Sequence, residues 1–98
     1  MALDNEDRAF LEKTIDSAIG QVPDLMRFVR EEVYQKLLQY KDGGDVVLGF
    51  AIGMIFGGFI QYSITRQQRQ PNPDEISEAN EVIFRRTREI KEAIFKCG

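Results

Sequence analysis

The sequence predicts an all-α protein in which one transmembrane helix is flanked by extramembrane amphipathic helices. Three observations carry this prediction. Residues 46–65 (VVLGFAIGMIFGGFIQYSIT) contain no charged side chain, and a helix of that length is about 30 Å long, the thickness of a bilayer's hydrocarbon core. Both flanking segments repeat apolar residues at steps of three and four, the helical period. Gly49, Gly53 and Gly57 recur every four residues within the apolar run. The chain thus divides into an N-terminal helical region (1–45), a membrane helix (46–65) and a C-terminal helical region (66–98).

In chain order, residues 5–19 form a first amphipathic helix, with Asp4 or Asn5 as N-cap, an apolar set of Leu11, Ile15, Ala18 and Ile19, and Gly20 as its stop. A second helix starts at Pro23, a residue suited to the first helical position because the N–H it lacks would be unpaired there. Its stripe is Val22, Met26, Val29, Val33, Leu37 and Tyr40. Residues 41–45 (KDGGD) end that pattern, since paired glycines supply positive φ cheaply. The apolar helix follows and can run on through residue 70 before Pro71 stops it. Asn72-Pro73-Asp74-Glu75 is a helix start with Asn as N-cap, Pro at the first position and Glu75 placed to close a capping box. The last helix, residues 73–96, carries Ile76, Ile83 and Ile90 seven apart.

Ten Val, Leu, Ile or Phe side chains in residues 46–65 favour insertion by about 3 to 6 kcal/mol before Gln61 and the glycines are set against them. A buried helix in a soluble protein is the competing reading, and 98 residues offer little apolar surface to wrap such a helix on all sides.

Steps of four residues turn a helix by about 400°, so Gly49, Gly53, Gly57 and Gln61 share one ridge. Lipid gives no hydrophobic drive between two apolar helices, so association rests on close packing and on polar groups finding partners. A ridge of glycines lets another backbone approach, and Gln61 can bond across the contact for about 1 kcal/mol. The opposite side, with Val47, Phe50, Met54 and Phe59, is bulky and suited to lipid. The ridge suits a second copy of the same helix and a helix of a foreign subunit alike.

Composition excludes several other classes. The net charge of −3 splits into ten acidic and six basic residues before the span and six acidic and seven basic after it, so neither flank has the charge of a nucleic-acid binder. Histidine is absent and Cys97 is the single cysteine, which leaves no metal box and no Cys–His chemistry. No carboxylate lies in the apolar run to relay protons, and no phosphate loop or nucleophile motif is present. The expectation is a protein without catalysis and without a cofactor. Arg85, Arg86 and Arg88 read as a solvated helix face offset by Glu81, Glu89 and Glu92. The N-terminus has neither a secretory nor a transit-peptide layout.

Gly53-Met-Ile-Phe-Gly57 in an apolar helix, followed by Tyr62, Arg66 and a long charged helix, is similar to the layout of subunit e of mitochondrial ATP synthases. That family associates with neighbouring membrane subunits through a GxxxG helix and supports dimerisation and curvature. The resemblance implies a small accessory subunit of an energy-converting complex, in the mitochondrial inner membrane. On this reading the glycine ridge docks the span on other membrane subunits, while Met26, Val29, Val33, Leu37, Ile76, Ile83 and Ile90 clamp the flanking helices onto partners. A self-associating scaffold or pore-former using the same ridge is the alternative.

Overall fold

The computed structural model describes residues 2–98. Five helices follow one another: α1 (Asn5–Val29), α2 (Glu32–Leu38), α3 (Gly43–Gln67), α4 (Pro73–Arg85) and α5 (Thr87–Lys96). There is no strand among the described residues. One of the five, α3, is long and apolar enough to cross a membrane.

Asp4 caps α1: its carboxylate accepts the Asp7 N–H at 2.8 Å, and the Asp7 carboxylate accepts the Asp4 N–H at 3.2 Å. Beyond that start α1 departs from expectation, because it passes through Gly20 and Pro23 without a break and ends only at Val29. The reason is phase. Leu11, Ile15, Ala18, Val22, Met26 and Val29 stay on one face across both residues and are all buried. Burial of aliphatic side chains at about 1.5–3 kcal/mol each outweighs about 3 kcal/mol for an interior proline and about 1 for a glycine.

The break comes instead at Arg30-Glu31, and it splits the expected stripe: Val22, Met26 and Val29 are buried on α1, whereas Val33 and Leu37 on α2 are exposed. Positive φ falls on Gln39 (50°), not on Gly43 or Gly44, which open α3 behind an Asp42 cap. Those two glycines serve close packing. A Cβ on Gly44 would stand 2.9 Å from Cγ2 of Ile94, and one on Gly43 would stand 3.3 Å from the Tyr40 ring.

α3 lies antiparallel to α1. Arg66 near its end reaches Asp4 and Asp7 at the start of α1, and the Tyr40 hydroxyl before its start donates to the Val29 carbonyl at the end of α1. After Gln68, again left-handed (φ 58°), the chain turns back through Pro71. The Asn72–Glu75 capping box forms as the sequence predicts, with both bonds at 2.8 Å. The expected single C-terminal helix kinks at Arg86 into α4 and α5, and each half touches both long helices.

The core sits where α1, α3 and α4–α5 meet, around Ile15, Val22, Ile55, Phe59, Ile83 and Ile90. Segments 1–45 and 66–98 therefore pack along the apolar helix, in a body of 43 × 24 × 18 Å.

Candidate functional site

The sequence puts the glycine ridge on a helix, and the fold decides which way it faces. On α3 the residues buried against the rest of the chain are Val47, Ala51, Ile55, Phe59 and Ser63. Gly49, Gly53, Gly57 and Gln61 form a second row offset by two residues, about 200° around the helix, and all four are exposed. A Cβ built on Gly49, Gly53 or Gly57 would meet nothing within 4 Å. The ridge is a bare groove along the outer side of α3.

The bulky side was expected to face lipid, and here the fold differs. Val47 and Phe59 are buried by α1, α4 and α5, whereas Phe50 remains exposed and Met54 half-buried. In all, 22% of the most apolar 18-residue stretch of α3 is buried. Between residues 46 and 64 the exposed positions are Phe50 and the Gly49, Gly53, Gly57, Gln61 row, and the others are buried or half-buried.

The seven flanking residues fall into two groups. Met26, Val29, Ile83 and Ile90 are buried and Ile76 is half-buried, so the chain itself supplies the cover that their apolar stripes require. Val33 and Leu37 remain on the surface. They belong to α2, which has no buried residue and packs only against α1.

Ion pairs that sequence reading did not anticipate hold the helices in register. Arg66 reaches Asp4 (2.8 Å), Glu6 (3.1 Å) and the buried Asp7. Asp4 is held down to about 2, first by the hydrogen bond from Arg66 and then by the Asp7 N–H. At the same end Arg69 and the Asn72 N–H hydrogen-bond the buried Glu75 carboxylate and lower its pKa against the desolvation that raises it. Glu78 is lowered first by the Leu3 N–H at 2.7 Å, with Arg8 as a further hydrogen-bond partner.

Arg86, expected on a solvated face, is largely buried at the α4–α5 kink. It bridges Asp16 on α1 (2.6 Å), Glu89 (2.7 Å) and the Glu12 carbonyl (3.2 Å). Its two basic neighbours, Arg85 and Arg88, are exposed as anticipated. The signal that separates Arg86 from them is its place on the Val82–Ile83–Ile90 side of the helix, visible only once α1 is set against it.

Chemistry-bearing constellations are few. Among the described residues no group of His, Cys, Asp or Glu is arranged to hold a metal. An open cleft of about 800 Å³ lies between the α2–α3 turn and α5, with Tyr40, Asp45, Lys91 and Phe95 among its walls. Cys97 lies nearby with its thiol donating to the Ala93 carbonyl at 3.3 Å. No family model matches the chain, and no curated protein and no solved structure matches it.

Proposed function

We propose that this chain is a non-catalytic, single-pass subunit of a larger membrane protein complex, docked through the glycine edge of α3. The observation that carries the reading is that the apolar helix keeps its smallest, flattest edge outside its own fold. Small residues at such an edge let a second helix approach to backbone distance, and Gln61 at its end offers a polar contact. An accessory role in an energy-converting assembly, such as the mitochondrial one that the sequence resembles, belongs to this proposal.

Spanning requires α1 and α4–α5 to leave α3. Glu12, Lys13 and Asp16 are exposed on α1, with Glu12 and Asp16 beside Arg86, and charged side chains carried to the bilayer centre cost about 2.5–3.5 kcal/mol each. Once released, α1 can lie on the bilayer surface with its Leu11–Val29 stripe toward the acyl chains.

That same charged face of α1 favours a second reading: a helical adaptor working in water, whose bare α3 edge is covered by a partner helix. Alkaline carbonate extraction of native membranes separates the two. Retention in the pellet supports the span, and full release supports the adaptor. Gly53→Leu then tests the edge. It is expected to leave the circular dichroism and unfolding midpoint intact while depleting co-purifying subunits, and an unchanged partner set with the mutant would refute docking through this edge.

A further inference from the structure

We propose that α2 is an interfacial helix, which lays Val33, Leu37 and Leu38 into an anionic membrane surface beside the start of α3. The inference rests on the membrane reading of α3 and extends it to a second element with its own contact.

Within the fold α2 packs lightly, through Tyr34 stacked on Phe28 of α1. It buries none of its residues, and Leu37, Val33 and Leu38 are 72%, 55% and 52% exposed. Its one helix neighbour is α1. A seven-residue helix cannot persist on backbone hydrogen bonds alone, because nucleation costs more than so few bonds return. Three exposed aliphatic residues on such a helix need an apolar contact.

Three features point to lipid as that contact. The first is position: the left-handed Gln39 ends α2, and α3 starts only four residues later, at Gly43. If α3 enters the bilayer there, α2 is confined to the headgroup region by the length of its linker. The second is charge. Arg30, Lys36 and Lys41 are exposed around α2, among Glu31, Glu32, Asp42 and Asp45, and basic side chains beside a bilayer are drawn to anionic headgroups. The third is aromatic composition. Phe28 stacks on Tyr34 with ring centroids 4.1 Å apart, and Tyr40 follows at the linker. Amphipathic rings gather at headgroup depth, where one end is apolar and the other wet. Phe95, 86% exposed, borders the same α2–α3 turn.

The chain contains no tryptophan, so Leu37→Trp introduces a single reporter. The full-length variant is reconstituted into phosphatidylcholine vesicles with and without phosphatidylglycerol. The expected result is emission shifted to shorter wavelength, quenched by lipids brominated near the headgroup, with a larger shift in the anionic vesicles. Emission at the fully hydrated wavelength would overturn the proposal, and so would a blue shift that brominated lipid does not quench, the signature of a protein contact. Carbonate extraction of the same vesicles reports on α3 separately. A carbonate-resistant protein with a hydrated Trp leaves the span standing and refutes the α2 contact, whereas complete extraction refutes the span itself. The triple variant Val33→Ser, Leu37→Ser, Leu38→Ser provides a second measure, since it touches no buried residue. It is expected to keep its helical signal and to lose the preference of the wild-type chain for anionic over neutral vesicles. Retention of that preference would also overturn the proposal.

Discussion

Two edges of α3 have the same repeat and opposite contents. Along one, every fourth residue is Val47, Ala51, Ile55, Phe59 and Ser63, and α1 with α4–α5 closes over it. Along the other, every fourth residue is Gly49, Gly53, Gly57 and Gln61, all exposed, and a Cβ added at any of the three glycines would meet nothing within 4 Å. A four-residue repeat thus marks an edge without saying what covers it. Side-chain volume decides that. The large edge fills the space between helices of one chain, and the small edge is suited to backbone approach by a helix from elsewhere.

The most severe break of this comparison is Phe59→Ala. Phe59 is fully buried, and truncating a core phenylalanine costs about 3–5 kcal/mol through lost transfer energy and the cavity left behind. Set against a total stability of about 5–15 kcal/mol for a domain, the variant should unfold at a much lower urea midpoint. An unchanged midpoint would mean that α1 does not cover this edge.

A smaller effect is expected from acid. Asp4, Glu75, Glu78 and Glu89 all have folded pKa values below their ordinary ones of 3.8 for Asp and 4.5 for Glu. A depressed carboxylate adds stability above its unfolded pKa and loses it as pH falls through the folded value. Stability should therefore hold down to about pH 4.5 and then decline, with Asp4's share lost near 2. Arg66→Met removes the principal cause of the Asp4 shift. Its Tm-against-pH curve should fall less steeply than the wild-type curve below pH 3.8, and parallel curves would show that Arg66 does not tie the closed edge.

What the residues disclosed in advance was local. The all-helical class, the Asn72–Glu75 start and the run that becomes α3 follow from caps and periodicity that neighbouring residues determine. What they hid depends on helices meeting. Gly20 and Pro23 read as a stop and a start because each disfavours helix by itself, and only the unbroken α1 stripe overrides them. The Val22–Tyr40 stripe read as one face because its spacing is regular, yet the break at Arg30-Glu31 sends half to the core and half to the surface. Arg86 and Arg66 look like any surface arginine until α1 supplies the carboxylates across from them. For the candidate site, spacing puts the glycine row on one edge of a helix, but its exposure required knowing which other edge was filled.

The smallest expected effect bears on the length of the closed edge, which exists only because α1 runs unbroken beside α3. Gly20 lies in the interior of α1, exposed, with nothing within 4 Å of an added Cβ. If the helix is continuous there, Gly20→Ala gains about 0.5–1 kcal/mol by restricting the unfolded chain, a Tm rise of about 2–8 °C for a domain of this size. If instead the helix stopped at Gly20 in a left-handed cap, alanine would be strained and Tm would fall. Gly53→Ala provides the matching control on the bare edge, because its Cβ also meets nothing and its helix propensity gain is the same. The two substitutions should raise stability alike and differ in one respect. Gly20→Ala is expected to leave association untouched, whereas Gly53→Ala puts a methyl group where the proposed docking brings another backbone.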